Sequence, residues 1–409
     1  MTNVVRKRII PARDTAQNPT VTVDWRAAAR LRRGHVWVYR SDILMQDELA
    51  PASLVTVLDE GGKFLGTAFY SSSSQIALRF LGIEKLQEPG LVPELRRRVQ
   101  AAIEYRKKIV ENADAYRLIF SEADGLPGLI ADNYNDVLSL QVLTQAMDRA
   151  DVRNAILKEL IEQLAPAGVV ESVDARIRKL ESLPSRAEGL LYGTQQDTTF
   201  QLNGVLFHFH GLGGQKTGAF LDQRENYAAA ARYAQGRALD VFTYQGGFAL
   251  HLARRCEHVT AVDSSRPALE VAEQNEQLNR EHHANEIEWI EANAFDLLKD
   301  YAAAGEQYDT IVLDPPAFSK ARKTLGTAMR GYKELNLRAL KMLKPGGVLA
   351  TCSCSFHVSE AEFLDMLRAA SFDARRTLKV LERRGQSRDH PVLLSVPETA
   401  YLKCTILTV

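Results

Sequence analysis

No apolar run in the chain approaches the roughly 18 residues that a membrane-spanning helix needs, so none is expected. Neither charge is in surplus: 51 basic residues cancel 51 acidic ones. That balance argues against a protein that coats nucleic acid indiscriminately, and leaves any such role to local basic patches and a specific pocket. Cysteine is scarce. Four in 409 residues cannot build a disulfide framework, and Cys352 and Cys354 stand one residue apart. Such usage fits a reducing cytoplasm. The opening MTNVVRKRII has no apolar stretch before a small-residue cleavage site, so it does not read as a signal peptide and a cytoplasmic location is expected. Internal repeats and long low-complexity segments are also missing. The 45% hydrophobic and 25% charged content excludes wholesale disorder and collagen-like structure.

At roughly 150 residues per domain, the length predicts two or three domains. Residues 1–82 carry five short apolar clusters: Val21–Val23, Val36–Tyr39, Leu54–Leu58, Phe64–Tyr70 and Ile76–Phe80. Turn residues separate them, which predicts a small β-barrel or curled sheet. Its Gly34-His-Val-Trp-Val-Tyr39 stretch, after Arg32 and Arg33, resembles the opening of a PUA domain, a small RNA-binding barrel. Residues 83–200 read as a central α+β domain. It opens with a helix from Leu91 to about Asn112, with Pro93 in its first turn. Arg96, Arg97, Arg98, Arg106, Lys107 and Lys108 give that helix a basic face, a candidate phosphate surface together with Arg32, Arg33 and the Lys320–Lys323 segment. Strands are expected on both sides of Asp124-Gly-Leu-Pro-Gly128, then at Val137–Leu143, Gly168–Val173 and Leu190–Phe200, with a helix over 148–164.

The third domain, residues 201–409, alternates strand and helix from about residue 235. That pattern predicts a doubly wound, mostly parallel sheet with ligands at the carboxyl ends of its strands. Leu239-Asp-Val-Phe-Thr-Tyr-Gln-Gly-Gly-Phe248 is a strand entering a glycine turn and then a helix. Gly246 and Gly247 allow close backbone approach to a ligand. The segment is not the G-x-G-x-x-G that seats a pyrophosphate. Asp240 and Asp263 end consecutive strands, where an acid suits ribose hydroxyls. Ribose recognition without a full phosphate cradle favours S-adenosylmethionine as cofactor.

Asp314-Pro-Pro-Ala-Phe318 follows the strand Ile311-Val-Leu313. Its two prolines remove two amide donors and stiffen a loop suited to a planar heterocycle. Thr351-Cys-Ser-Cys-Ser355 ends the next strand. A thiolate there suits methylation at carbon 5 of a pyrimidine, which needs nucleophilic addition at carbon 6; amine methylation needs none. Cys-x-Cys with no second pair is poor zinc spacing, so no metal is expected. Cys256 and Cys404 read as structural. His357, three residues beyond Cys354, could lower its pKa or act as a base.

These segments, with Gly214-Gln-Lys-Thr-Gly-Ala-Phe-Leu-Asp-Gln-Arg-Glu-Asn226, resemble the class I RNA methyltransferases of the RlmI type along nearly the whole chain. The resemblance implies a Rossmann-like methyltransferase fold behind a PUA-like barrel and a central α+β domain. It implies methyl transfer to carbon 5 of a cytosine in large-subunit (23S) ribosomal RNA, and a homodimer. Carried onto this sequence, it gives Cys354 as nucleophile, Cys352 as the competing cysteine, and Asp314 beside the target base. The cofactor set is Gln223, Arg224, Asp240, Phe242, Tyr244, Gly246, Phe248, Asp263, Ser264, Asn293 and Asp314. Tyr227 stands where the family commonly has arginine. Asn293 replaces an acid that often faces the adenine amino group, although an amide oxygen can still accept that hydrogen bond. His208–Gly213 reads as an insertion. The rival readings are an RNA base amine methyltransferase and a catalytically inactive RNA-binding or ribosome-assembly protein.

Overall fold

Among the residues that the computed structural model describes (17–212, 219–281, 285, 287–318 and 325–409), four sheets organise the chain. The opening residues 1–16, residues 214–218 of the Gly214–Asn226 block, and the Lys320–Lys323 patch lie outside the described residues.

The first sheet has six strands in the order Trp37–Tyr39, Ile76–Gly82, Phe64–Tyr70, Leu54–Leu58, Thr20–Val23, Ile43–Gln46. The sixth, Ile43–Gln46, and the helix Trp25–Arg32 add to the five expected strands. Apolar clustering overlooks that helix because its signal is a cap and alanine. The Asp24 carboxylate accepts the Ala27 amide at 2.7 Å, and Ala27, Ala28 and Leu31 are buried beneath.

A second, five-stranded sheet runs Gly189–Gly193, Gly168–Glu171, Val137–Val142, Leu129–Tyr134, Ala115–Phe120. The helices Glu88–Ile109 and Ala150–Leu164 share one apolar core with it, which also takes in Leu54, Phe69 and Leu81 of the first sheet. The first helix begins at Glu88, so Pro89 occupies its first turn and Pro93 falls within the helix. Its basic face is corrected by its partners. Arg96 pairs with Glu159 and Glu162, Arg97 and Arg98 with Glu94, Lys107 with Glu104, and wholly buried Arg106 with Asp124. Five of the six basic residues expected on that face thus already meet a carboxylate, whereas Lys108 is exposed with none among the described residues. The expected strand Leu190–Phe200 is two strands. Its second half, Asp197–Leu202, forms a hairpin with Val205–His210, so His208–His210, half of the supposed insertion, end the returning strand of that hairpin.

The last sheet has seven strands in the order Ile287–Glu291, His258–Asp263, Arg237–Val241, Tyr308–Leu313, Leu343–Ser353, Lys403–Thr408, Lys379–Arg384. The first five are parallel, and Lys403–Thr408 returns antiparallel between its neighbours. This is the doubly wound sheet expected, with an antiparallel edge added. Order reverses between Arg237–Val241 and Tyr308–Leu313, a switch point where a crevice opens beyond the strands. Asp240 and Asp314 stand on either side of it.

Candidate active site

The strand Arg237–Val241 turns through Phe242 (φ 68°), Tyr244 (φ 51°) and Gly246 (φ 86°), all in the left-handed region. Such strain persists only where neighbours hold it. Asp240 Oδ2 accepts the Thr243 hydroxyl at 2.6 Å and the Ala249 amide at 2.9 Å, tying the turn to the helix Gly247–Ala253. Asp263 accepts the amides of Tyr244 and Ser265, both at 2.9 Å. The two acids therefore differ. Asp240 is wholly buried and shapes the loop, which corrects its assignment to a ribose. Asp263 is partly exposed at its strand end, and each oxygen keeps a lone pair that a ribose hydroxyl could use. Ser264 beside it is exposed.

Phe242, Tyr244 and Phe248 line a cavity with Phe220, Tyr227 and Asp314. Tyr227 is edge-on to Phe248, with ring centroids 4.7 Å apart, and its hydroxyl donates to the Phe220 carbonyl at 3.2 Å. A Cβ on Gly247 would come within 2.5 Å of that tyrosine ring, so glycine is required there. Two further expectations change. Arg224 is buried, donating to Asp389 at 3.0 Å and to the Glu111 carbonyl at 3.4 Å, so its guanidinium ties elements together and is not free for a cofactor. Asn293 spends its Oδ1 on the Phe295 and Asp296 amides as the cap of the helix Ala294–Ala304. The acceptor foreseen for an adenine amino group is thus already engaged. Residue type alone does not reveal a capping or bridging role.

The chemistry end is built by the neighbouring strand. Leu343–Ser353 stops at Ser353, one residue before Cys354. Cys352, still in the ladder, lies opposite Cys404 and is wholly buried; Cys354 leaves the ladder and is partly exposed. The Cys354 Sγ lies 4.0 Å from the carbonyl oxygen of Pro315, next to Asp314. Gln223 is buried between these groups. Its Oε1 accepts the Asn226 amide at 2.7 Å, and its side chain acts to lower the pKa of both Asp314 and Cys352. Burial raises Asp314 to about 8, reinforced by Asp222 and Asp240 and opposed by Gln223. Burial raises Asp240 to about 7 against the pull of its two donors. Burial, Asp314 and Asp222 raise the Cys354 thiol to about 11, and Lys403 works the other way. His357 packs edge-on against Phe356, at 5.2 Å between centroids, and is not among the charges acting on Cys354. Asp222 and Lys403 escaped the sequence reading. Asp222 was legible in principle inside the Gly214–Asn226 block, whereas Lys403 is one lysine in an unremarkable strand.

The aromatic walls of this cavity suit a ligand that combines a flat heterocycle with positive charge. Comparison with known proteins decides the family. Residues 122–406 match the S-adenosylmethionine-dependent methyltransferase family, and residues 21–82 match a PUA-like domain. The chain belongs to the S-adenosylmethionine-dependent methyltransferases. Its relatives include the proteins named Ribosomal RNA large subunit methyltransferase I from Photobacterium profundum and Vibrio parahaemolyticus. The former is 36% identical over 91% of this chain and 95% of the relative; the latter is 35% identical over 92% and 96%. A crystal structure of a candidate methyltransferase complexed with SAH matches with a TM-score of 0.81 at 20% identity, covering 95% of this chain and all of that one. That likeness supports the class I methyltransferase fold. S-adenosylmethionine is the cofactor of this methyltransferase; Phe242, Tyr244 and Phe248 line the cavity beside its glycine turn, and Asp263 stands partly exposed at the neighbouring strand end.

Proposed function

We propose that the chain methylates carbon 5 of a cytosine in large-subunit (23S) ribosomal RNA, through a Cys354 adduct at carbon 6. The observation that carries this reading is the position of Cys354, partly exposed just past its strand and beside the Asp314 loop. The names of the relatives, Ribosomal RNA large subunit methyltransferase I, support the RNA. The PUA-like region at 21–82 supports it too. An open groove lined by Phe356, on the segment that follows the cysteine, and by Arg383 and Lys403 leaves room for a polynucleotide.

S-adenosylmethionine supplies an electrophilic methyl group. The Cys354 thiolate adds to carbon 6 of the cytosine, and the electron pair of the 5,6 double bond moves so that carbon 5 becomes nucleophilic. Ring nitrogen 3 gains basicity as this happens. Asp314, held protonated near neutral pH, can donate to that nitrogen, the task of a buried neutral carboxylic acid. Carbon 5 takes the methyl group, nitrogen 3 returns its proton to Asp314, and carbon 5 releases its own proton to water. The electron pair of that C–H bond re-forms the 5,6 double bond and expels the Cys354 sulfur as thiolate. Gln223 orients Asp314.

RNA with 5-fluorocytidine at the target tests this, because fluorine blocks the final elimination. With S-adenosylmethionine present, the wild-type protein should form a denaturation-resistant adduct, Cys354→Ala none, and Cys352→Ala a normal one. An active enzyme that forms no adduct would transfer the reading to amine methylation. An adduct lost only in Cys352→Ala would move the nucleophile to Cys352.

A further inference from the structure

Lys403 opens the antiparallel strand Lys403–Thr408 and pairs with Ser353, the last residue of the strand that delivers Cys354. A lysine at a strand end normally runs its stem along the surface and leaves its ammonium in water. This one is buried. Its Nζ donates to the carbonyl of Ser355 at 2.7 Å and to that of Tyr401 at 2.8 Å. Both acceptors are neutral, and an ammonium has a third N–H to give. Burying a cation on neutral partners is costly, and the cost is offset where an anion forms beside it.

We propose that Lys403 is the positioning residue that makes Cys354 reactive, its pinned ammonium serving as counter-charge to the thiolate. The proposal rests on the reading of Cys354 as nucleophile and adds the group that lets it ionise. Every other charged or titratable group acting on the sulfur opposes ionisation or is neutral: Asp314 on the proline loop, Asp222, Tyr332 and Tyr401. Lys403 is the cation among them, and of the charges that Lys403 feels, Cys354 comes first and Glu362 second. The carbonyl of Ser355 fixes the ammonium one residue beyond the cysteine, so the two move as a unit. In the ionisation the S–H bond breaks and its proton passes to water in the groove that Lys403 lines. No bond to Lys403 forms or breaks.

The test is the pH dependence of Cys354 alkylation by iodoacetamide in the full-length protein, read at that cysteine by peptide mass spectrometry. Lys403→Gln and Lys403→Met both remove the charge, and the second keeps the apolar stem so that the fold is retained. Each should slow alkylation about tenfold at pH 7, where Lys403 is still charged, and converge on wild type well above pH 8, while Lys403→Arg stays near wild type at pH 7. The turnover number should fall in step, with S-adenosylmethionine affinity unchanged. An alkylation profile in Lys403→Met identical to wild type overturns the proposal. Alkylation needs no RNA, so that failure is separate from a failure of Cys354 as nucleophile, which the fluorocytidine adduct reads.

Discussion

Asp314 keeps its proton to about pH 8 because it is desolvated beside two other carboxyls. The adjacent thiol keeps its own to about 11. The proposed reaction wants the opposite arrangement for the sulfur: Asp314 protonated, Cys354 ionised, and Lys403, lowered by burial to about 8, still charged. The pH dependence of kcat/KM follows with its sign. Below about 8 the logarithm should climb about one unit per pH unit, because the thiolate fraction grows tenfold. Above it, that gain continues while Asp314 loses its proton and Lys403 its charge, so the net slope becomes about minus one. The rate should therefore peak near pH 8. Asp314→Asn cannot give a proton to the base and should lose about 10²–10⁴ in rate. Its residual activity should level off above the break instead of falling. A falling limb that persists unchanged in the variant would remove Asp314 from proton donation.

At the scale of an element, the strand–turn–helix at 237–253 shows how closely backbone and cavity are coupled. The Tyr227 ring, packed against Phe248 and His251, leaves no room for a Cβ on Gly247. Gly247→Ala should cost about 1–3 kcal/mol of stability as an overpacking change and weaken S-adenosylmethionine at least about tenfold by calorimetry. Gly305→Ala, at positive φ (76°) but with no atom within 4 Å of the new Cβ, should leave that affinity untouched. Equal affinity in both variants would separate the turn from the cofactor. This turn was readable in the sequence because glycine pairs and strand-end acids mark it. Strands Leu54–Leu58 and Phe64–Tyr70 were readable from apolar runs. What stayed hidden depends on partners distant in sequence. Asp240 and Asp263 look alike as strand-end acids, yet only the fold separates the loop tie from the exposed carboxylate. Arg224 meets Asp389 across 165 positions, and Lys403 meets Ser355 across 48. The final antiparallel strands lack the strand–helix alternation that revealed the rest of their sheet.

For the molecule as a whole, charge neutrality means that RNA affinity must come from cations left free by the fold. In the basic helix Glu88–Ile109 the exposed Arg97 and Lys107 are spent on its own carboxylates, whereas Arg26 and Arg33 on the PUA-like region are exposed and have no carboxylate partner among the described residues. Trp25 is 64% exposed, with the Arg26 guanidinium 5.4 Å from its ring, a pairing suited to a base and a phosphate together. This region is not a detachable arm. Trp37 donates to Glu122 at 3.0 Å, Arg79 pairs with Glu122 and Glu181, and the first two sheets share a core. Deleting it would uncover that core, so single substitutions are the cleaner probe. Arg26→Ala and Arg33→Ala should each reduce the steepness of log affinity against log salt by about 0.7–0.9, the share of one phosphate contact. Arg97→Ala and Lys107→Ala should change it little, because each removes a cation already paired with Glu94 or Glu104. All four should bind S-adenosylmethionine as the wild type does. A slope that falls in Arg97→Ala as much as in Arg33→Ala would return the RNA surface to the helix.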